Sequence, residues 1–296
     1  MQSLLRSGCV LSLPILAVML ASVGYSDELQ RPDSGKKIKV VLFAGQSNME
    51  GRANGRKITR EDQARLKNVQ KRIQLAFNHE PIGPLDVVSP SKEIRKSYRR
   101  DRIFGPELFF GISLAEAMPN EKFLFIKRTR GSSSLHGCWN SEWSEDKAVL
   151  MGEEKHPKLY REYVDYVRRV LDGYSPEDYE LCAMLWVQGE SDDKAPEAEA
   201  AYGATLRMLI EHVRLDTKDK TLPFILFQVG SPQVVDGMRQ TAAKVPNVTL
   251  IPQSQNPDSP DFYEKMENGH YNHEGMKKLG TRFAEVFLRT YASPQQ

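Results

Sequence analysis

Cysteine is scarce in this chain of 296 residues, and its scarcity limits how the fold can be stabilised. There are three cysteines, and Cys9 lies in an apolar N-terminal segment. Cys138 and Cys182 are the remaining pair, which excludes a scaffold built on several disulfides but permits a single one. Cys182 lies inside an apolar run, a place typical of a buried free thiol. The fold is therefore expected to depend on a hydrophobic core.

The chain also lacks an excess of charge of one sign. Lys and Arg total 41 and Asp and Glu total 39, which gives a formal net charge of +2. Nucleic-acid binding calls for a concentrated basic surface, so we expect no nucleic-acid partner and a neutral or mildly charged substrate. The charged stretch at residues 92–102 is predicted to be a solvated loop rather than a binding surface.

Long uninterrupted apolar runs are absent as well. The run at residues 10–23 follows the positive charge of Arg6, is interrupted by Pro14 and precedes small residues, whereas a membrane-spanning helix needs about 20 apolar residues. This layout is typical of a secretory signal peptide, with an uncleaved anchor as the alternative. We expect residues 1–26 to be a signal peptide and residues 27–37 a linker. The mature protein is then secreted or periplasmic, without membrane attachment.

Short apolar runs recur along the rest of the chain and are predicted to be buried strands. These runs are Ile38–Ala44, Phe123–Ile126, Leu181–Val187, Phe224–Val229 and Val248–Ile251. Between and after them, apolar residues recur at helical spacing, for example over residues 159–170, 202–213 and 276–286. Buried strands that alternate with helices predict a mainly parallel sheet covered on both faces. The predicted fold class is α/β, a three-layer α/β/α sandwich formed by one domain over residues 38–292.

Three loops that follow predicted strands carry residues suited to catalysis, and ligands of parallel sheets bind at that edge. Ser47 could expose its hydroxyl as a nucleophile and offer its backbone N–H to an oxyanion. Gly131 allows the close backbone approach that a second oxyanion donor requires. Gln188 could donate from its side-chain amide, and Glu190 adds a carboxylate. Each of these residues alone also has an ordinary structural interpretation as a turn or cap residue.

His270 lies just before the last predicted helix and is the candidate base. It could take the proton of Ser47 while a carboxylate fixes its tautomer. Glu267 and Glu190 are the candidates for that carboxylate. His273 could suggest a metal pair with His270, but no further cluster with zinc-like spacing accompanies them. The sequence therefore predicts no metal site.

Taken together, four ordered blocks resemble those of the SGNH hydrolase superfamily, and within it the sialate O-acetylesterase-like group that includes carbohydrate esterase family six. The blocks are Gly45–Met49, followed by Gly51 and Arg52, then Phe104–Glu107, Lys127–Leu135 and Trp186–Glu190. The resemblance extends from about Ile38 to Tyr291, which is nearly the whole predicted mature chain.

The resemblance implies a flavodoxin-like sheet and the hydrolysis of O-acetyl esters on a carbohydrate through an acetyl-enzyme on Ser47, with His270 as base, then acid. It also implies an oxyanion hole formed by the backbone N–H groups of Ser47 and Gly131 and by the side chain of Gln188. No metal or organic cofactor is needed. The candidate substrate-binding residues are Gln46, Asn48 and Arg52.

Two positions depart from the family pattern. Ser132 occupies the place of a second glycine, which leaves Gly131 as the expected oxyanion donor. Glu267 stands three residues before His270, where the family usually has aspartate, and its side chain is one methylene longer. We expect both carboxylates to lie near His270 and favour Glu267 as its partner, with Glu190 supporting or sharing the role.

Two other functions remain compatible with the sequence. One is an esterase that acts on non-carbohydrate acyl esters, although the arginines near the predicted site disfavour long-chain lipids. The other is a relative that binds glycans without cleaving them, although the combination of nucleophile, base and oxyanion donor argues against it. The sequence decides neither which sugar carries the acetyl group nor the oligomeric state.

Overall fold

A computed structural model describes residues 35 to 292 of the chain. The predicted signal peptide and most of the predicted linker lie outside these described residues. Among the helices of the described part, none is long and apolar enough to cross a membrane.

The strands of the described part form a large sheet and a small one. In chain order they are β1 (Ile38–Gly45), β2 (Ala53–Asn54), β3 (Ile73–Phe77), β4 (Gly83–Pro84), β5 (Ile103–Phe104), β6 (Phe123–Thr129), β7 (Tyr179–Val187), β8 (Phe224–Phe227) and β9 (Val248–Ile251). The five strands predicted from the sequence are all present. The short strand β3 was not predicted, and it buries the polar side chain of Gln74 within its apolar run.

The large sheet has seven strands in the order β4-β3-β6-β1-β7-β8-β9. All neighbouring pairs are parallel except β3 with β4, which is antiparallel. β1 lies in the middle, is buried along its whole length and pairs with β6 on one side and β7 on the other. The loops that follow these three strands therefore leave the sheet side by side.

The helices cover both faces of the large sheet. They are α1 (Ser47–Glu50), α2 (Arg60–Val69), α3 (Lys92–Tyr98), α4 (Pro106–Ala117), α5 (Glu145–Leu150), α6 (Leu159–Leu171), α7 (Pro196–Asp216), α8 (Pro232–Lys244) and α9 (His273–Ala292). The prediction of a solvated loop at residues 92–102 was wrong in part, because this stretch forms α3. Ser91 caps that helix by accepting a hydrogen bond from the N–H of Ile94.

Neighbouring side chains along the strands define the two covered faces. Phe43 of β1 packs edge-on against Phe110 of α4, with ring centroids 5.5 Å apart. The next residue, Ala44, is in register with Trp186 of β7, whose indole N–H donates to Tyr202 of α7. Because side chains alternate between faces along a strand, α4 and α7 lie on opposite faces. This arrangement confirms the predicted three-layer α/β/α sandwich.

Both cysteines of the described part, Cys138 and Cys182, are buried free thiols. Burial raises the pKa of each thiol, so neither favours the reactive thiolate. The cysteines therefore contribute to the core as small apolar side chains.

Candidate active site

The candidate site lies where β1, β6 and β7 end at the same level. Gly45, the last residue of β1, is in register with Thr129 of β6 and Val187 of β7. The loops that carry Ser47, Gly131 and Gln188 begin directly after these residues. The sheet thus brings together three loops that are far apart in the sequence.

Gly45 is needed for the turn that presents Ser47. Its φ of +147° lies in the region that favours glycine, and a Cβ at this position would lie 2.1 Å from the carbonyl oxygen of Val187. The next N–H, that of Gln46, donates to the same carbonyl oxygen at 3.0 Å. This turn makes Ser47 the first residue of α1 at the edge of the sheet.

Ser47 and His270 are hydrogen-bonded to each other. The distance from Ser47 Oγ to His270 Nε2 is 2.9 Å, although 223 residues separate them in the sequence. His270 belongs to the loop that precedes α9, and the residue after it, Tyr271, forms an isolated bridge with Lys265. A hydroxyl within hydrogen-bond distance of an imidazole nitrogen is the geometry that general-base activation of a nucleophile requires.

The second ring nitrogen of His270 has neutral partners. Nδ1 lies 3.1 Å from the hydroxyl of Tyr98 and 3.3 Å from Oδ1 of Asn268. This differs from our expectation that a carboxylate fixes the imidazole. In the part of the chain that the structure describes, neither Glu267 nor Glu190 is hydrogen-bonded to His270, and Glu267 is exposed. The backbone turn at Asn268 brings an amide, not the glutamate, onto the ring.

Glu190 instead supports the residue that follows the nucleophile. Its Oε1 accepts a hydrogen bond from Nδ2 of Asn48 at 2.7 Å, and Asn48 Oδ1 accepts one from the N–H of Tyr271 at 3.3 Å. The other oxygen, Oε2, is buried without a hydrogen-bond partner. Burial raises the pKa of Glu190 above its usual value. Asn48 therefore links Glu190 to the loop of His270, and both of its polar atoms have internal partners.

The environment of His270 favours the neutral imidazole. Burial, the positive charge of Arg52 and that of Lys265 together lower the pKa of His270 to about 4, while the hydrogen bond with Asn268 acts in the opposite direction. Arg52 itself is buried and paired with Glu50 at 2.7 Å. At neutral pH the ring is therefore unprotonated at one nitrogen and able to act as a base.

Two backbone N–H groups at this edge of the sheet have no hydrogen-bond acceptor among the described residues, those of Ser47 and Gly131. As the first residue of α1, Ser47 has an N–H with no acceptor in the helix. The N–H of Gly131 forms no hydrogen bond within residues 35 to 292. A Cβ at position 131 would lie 3.0 Å from the guanidinium of Arg52, a tight contact, and 3.7 Å from Cβ of Ser47, an ordinary one, so glycine leaves room for the buried arginine. Ser132 has a φ of +54°, a left-handed conformation that glycine adopts more readily than serine.

The structure differs from the prediction for Gln188. Its fully buried amide donates to the carbonyl oxygen of Ser133 at 3.0 Å and to Oδ2 of Asp192 at 2.6 Å, while Oε1 lies 3.3 Å from the hydroxyl of Tyr202. Both N–H groups of the amide are used in this way. Gln188 thus holds the loop after Gly131 rather than pointing toward an oxyanion. Gln46, also predicted to bind substrate, is buried beside it, with 3.5 Å between the two side-chain amides.

Two buried carboxylates that the sequence analysis missed fix the loop at residues 134–138. We call this loop the donor loop, because it follows Gly131, the expected oxyanion donor. Glu153 accepts hydrogen bonds from the N–H of Ser134 at 2.7 Å, the hydroxyl of Ser134 at 3.0 Å and the N–H of Cys138 at 2.9 Å. Asp192 accepts from the N–H groups of Leu135 at 2.9 Å and His136 at 2.8 Å. Asp192 follows Glu190 closely enough to be suspected from the sequence. Nothing in the local pattern around Glu153 indicates its role.

A buried ion pair joins two of the sequence blocks described above, Phe104–Glu107 and Lys127–Leu135. Lys127 and Glu107 are paired and almost fully buried, and Nζ of Lys127 also donates to the carbonyl oxygen of Glu50 at 3.1 Å. Burial lowers the pKa of Lys127, while the charge of Glu107 opposes this effect. The pair connects the end of α1 to β6 and α4, so it supports the turn that carries Ser47.

One group of side chains in the described residues could approach a metal ion. Ligand atoms of Cys138, Glu153 and His156 lie within 4.8 Å of one another. The carboxylate of Glu153, however, already accepts three hydrogen bonds from the donor loop. These contacts assign Glu153 to the organisation of that loop. His273, considered above as a metal partner of His270, packs edge-on against Phe104.

Comparison with known proteins points to one family. The profile of the family described as carbohydrate esterase, sialic acid-specific acetylesterase, matches residues 37–289. A probable carbohydrate esterase of Arabidopsis thaliana is 30% identical over 115 residues, which are 38% of this chain and 42% of that protein. The aligned segment therefore spans less than half the length of this relative.

Solved structures share the fold at low sequence identity. An Arabidopsis thaliana protein superposes with a TM-score of 0.64 and 18% identity, covering 87% of this chain and 100% of that one. The structure titled NanS has a TM-score of 0.57 and 16% identity, with coverage of 86% and 97%. A carbohydrate acetylesterase from Xanthomonas citri has a TM-score of 0.56 and 17% identity, with coverage of 86% and 56%. These likenesses establish the shared architecture.

Proposed function

Because the chain belongs to the carbohydrate esterase family described as sialic acid-specific acetylesterase, we propose that it hydrolyses O-acetyl esters on carbohydrates with Ser47 as the nucleophile and His270 as the general base. One observation carries this proposal: Ser47 Oγ lies 2.9 Å from His270 Nε2, next to the N–H groups of Ser47 and Gly131, for which residues 35 to 292 provide no acceptor. This combination provides a nucleophile, a base and two oxyanion donors in one place.

In the acylation half of the reaction, Ser47 Oγ attacks the acetyl carbonyl carbon while His270 Nε2 takes the hydroxyl proton. The carbonyl oxygen becomes an oxyanion, and the N–H groups of Ser47 and Gly131 donate to it. Loss of one such donor typically costs about 10²–10³ in rate. When the tetrahedral intermediate collapses, the sugar oxygen leaves with the proton from Nε2, and the acetyl group stays on Ser47.

The deacylation half uses the same groups in the same order. Nε2 of His270 removes a proton from water, and the resulting nucleophile attacks the acetyl carbonyl carbon on Ser47. Collapse of the second intermediate returns the proton to Ser47 Oγ and releases acetate. The low pKa of His270 supports this cycle because the imidazole must be neutral at the start of each half.

The proposed substrate class is based on the family and on the described activity of one structural relative. The family description and the acetylesterase from Xanthomonas citri point to acetylated carbohydrates. We further propose that residues 1–26 direct export and are removed, so that the enzyme meets its substrate outside the cytoplasm. N-terminal sequencing of the protein recovered outside the cytoplasm tests this point, and the expected first residue is Asp27.

The decisive experiment measures acetate release from a panel of acetylated glycans and from an aryl acetate. We expect the wild-type protein to release acetate from at least one glycan, and Ser47→Ala and His270→Ala to lose activity on every substrate. His212→Ala is the matched control, because His212 packs near Tyr160 on the opposite side of the sheet from α4. Mass spectrometry of a rapidly quenched reaction should show one added acetyl group on the wild-type protein and none on Ser47→Ala.

Three outcomes would contradict the proposal in different ways. Wild-type turnover by Ser47→Ala would exclude the serine mechanism. Hydrolysis of other acyl esters without action on any acetylated glycan would indicate a non-carbohydrate esterase. Binding of acetylated glycans without any release of acetate would indicate a non-catalytic relative.

A further inference from the structure

We propose that Tyr98 is a positioning residue for His270, and that its hydroxyl, together with the amide oxygen of Asn268, takes the place of the carboxylate in a Ser-His-acid site. The inference rests on the proposed function, because it concerns the base of that reaction. It goes beyond it by naming the side chain that orients the base. Tyr98 lies at the end of α3, in the stretch that the sequence analysis predicted to be a solvated loop.

The contacts of His270 place Tyr98 on the nitrogen that faces away from the nucleophile. Nε2 lies 2.9 Å from Ser47 Oγ, and Nδ1 lies 3.1 Å from the hydroxyl of Tyr98. The two rings meet edge-on, with centroids 5.6 Å apart and an angle of 87° between their planes. This is the place that the acid occupies in a Ser-His-acid arrangement.

The neighbouring Asn268 identifies the tautomer of the imidazole. The backbone N–H of His270 donates to Asn268 Oδ1 at 3.3 Å, so this atom is the amide oxygen, which can only accept. The same oxygen lies 3.3 Å from Nδ1. An oxygen that can only accept favours the tautomer with the proton on Nδ1, and we assign this tautomer to His270, with Asn268 Oδ1 and the oxygen of Tyr98 as acceptors. Nε2 is left free to accept the proton of Ser47.

Tyr98 is itself held in place by two guanidinium groups that pack over its ring. The guanidinium groups of Arg52 and Arg100 lie 5.7 Å and 5.8 Å from the ring centroid. Arg52 is fixed by Glu50, and Arg100 donates to the sulfur of Met266 at 3.1 Å. The N–H of Met266 donates to the carbonyl oxygen of His270 at 2.7 Å.

These contacts couple the position of the tyrosine to the loop that carries the base. Arg100 reaches that loop through Met266, and Arg52 reaches α1 through Glu50. The phenol ring of Tyr98 therefore bridges the segment that carries the nucleophile and the segment that carries the base. A ring held in this way can fix the direction of Nδ1 although it carries no formal charge.

The charges around His270 decide how the pH profile responds to changes at position 98. Burial and the charges of Arg52 after α1 and Lys265 in the loop before α9 lower the pKa of His270, whereas the hydrogen bond with the backbone of Asn268 raises it. A hydrogen-bond acceptor on Nδ1, such as the oxygen of Tyr98, also stabilises the imidazolium. Removing the acceptor at Tyr98 should therefore lower the pKa of the base. A purely structural role predicts the opposite, because opening the site to water would bring the pKa of His270 up toward the ordinary value.

The first test is Tyr98→Phe, which removes the hydroxyl and keeps the ring. We expect kcat for an aryl acetate to fall about 10- to 100-fold with KM changed by less than about 2-fold, because an imidazole that turns away loses the reactive geometry. The acidic limb of the profile of kcat against pH should move to lower pH. Tyr160→Phe is the matched control, because it removes a tyrosine hydroxyl that donates to Asp216 on α7; its kcat should be unchanged.

The second test restores a stronger acceptor on Nδ1. Asn268→Asp places a carboxylate where the amide oxygen now accepts from His270. Added to Tyr98→Phe, it should recover most of the lost kcat, to within about 5-fold of wild type, and move the acidic limb to higher pH, because a carboxylate stabilises the imidazolium. A tyrosine that mattered only for folding would not be replaced by a charge at position 268.

Nitrogen NMR of histidine-labelled protein provides a readout that does not depend on turnover. We expect the wild-type signals of His270, assigned by comparison with His270→Ala, to show a protonated Nδ1, and Tyr98→Phe to show a mixture of tautomers. If Ser47→Ala were fully active while Tyr98→Phe still changed these signals, the serine mechanism would be wrong and the contact right.

Three results would overturn the positioning role. They are an unchanged kcat with unchanged nitrogen signals in Tyr98→Phe, an acidic limb that moves toward the ordinary histidine pKa, and a change confined to KM.

Discussion

The two loops that shape the site differ in the groups that hold them: buried carboxylates for one and neutral side chains for the other. The donor loop, residues 134–138, is fixed by two buried carboxylates, Glu153 and Asp192, which accept five hydrogen bonds from it. The loop that carries His270 contacts the ring only through neutral groups, the hydroxyl of Tyr98 and the amide of Asn268. One loop is anchored by charge and the other is not.

This difference has consequences for both sides of the reaction. Hydrogen bonds to charged acceptors are about twice as strong as those between neutral groups, so the carboxylates hold the donor loop, which follows Gly131, firmly when they are ionised. On the other side, a neutral acceptor stabilises the imidazolium less than a carboxylate does. Burial and the charge of Arg52 therefore keep the pKa of the base at about 4, and the ring remains neutral in mildly acidic solution. Because burial raises the pKa of Asp192 to about 7, the donor loop is held most firmly above pH 7, whereas the base remains neutral well below it.

The largest effect is expected from removing the charge that anchors the donor loop. Asp192→Asn keeps the shape but places an amide N–H against the donors of Gln188 and the loop, so the free energy of unfolding should fall by about 2–4 kcal/mol. The rate constant kcat should fall about 100-fold as Gly131 shifts. Urea unfolding and aryl acetate hydrolysis measure these changes. Both are compared at pH 8, because burial raises the pKa of Asp192 to about 7.

The adjacent exposed residue provides the control for that experiment. Asp193→Asn removes a carboxylate that lies in solvent, and such surface changes are usually within about 0.5 kcal/mol. A similar loss of stability in both variants would show that the charge of the segment, and not the anchoring of the loop, matters.

The dependence of kcat/KM on pH tests the loop that carries His270. With the pKa of His270 lowered to about 4, kcat/KM should rise with pH through about pH 4 and be nearly constant from pH 5 upward. A base with an ordinary pKa of about 6.5 would be only about 10% neutral at pH 5.5. Steady-state kinetics from pH 3.5 to 8 at constant ionic strength decide between the two. An acidic limb centred near pH 6.5 would contradict the lowered pKa of His270.

A paired substitution sharpens the conclusion that no carboxylate orients His270. Glu267→Gln should change kcat/KM by less than about 2-fold, because this side chain is exposed and the described contacts of the His270 ring do not include it. Glu190→Gln should lower it by no more than about 5-fold, because glutamine can still accept from Asn48. A collapse of kcat in either variant would restore that glutamate as the acid of the site.

The same glutamate variant has a distinct signature in stability. The folded-state pKa of Glu190 is raised by burial, so its favourable contribution is complete below the unfolded-state pKa and is lost as pH rises through the folded-state value. The free energy of unfolding of wild type, relative to Glu190→Gln, should therefore decrease from pH 5 to pH 8. Urea unfolding at the two pH values measures this difference, and an increase would contradict it.

The smallest effect is expected at Ser132, in the turn that leads into the donor loop. Its φ of +54° is a left-handed conformation that costs a non-glycine residue about 1–2 kcal/mol. Ser132→Gly removes this strain but adds freedom to the unfolded chain, so the free energy of unfolding should rise by about 0.5 kcal/mol. Chemical denaturation is precise enough to detect this gain. A loss of stability would show that the serine side chain is needed in the turn.

The sequence by itself determined the sheet and singled out Ser47 and His270, which the structure brings within hydrogen-bond distance of each other. Apolar runs such as Ile38–Gly45 specify buried strands through local pattern alone, and parallel strands place Ser47, Gly131 and Gln188 at one edge. The glycine before Gln46 and Ser47 reflects a backbone turn that no other residue fits. These features depend on short-range chemistry, and the structure agrees with them.

Only the tertiary structure decided how the base and the oxyanion donors are held. Tyr98 reaches His270 across 172 residues, from a helix in a charged segment whose pattern indicates solvent exposure. Asp192 and Gln188 are paired with each other inside the loop, which removes Gln188 from the oxyanion hole. Such contacts depend on the path of whole loops and on which donors burial leaves unpaired, and a linear pattern of residue types contains neither.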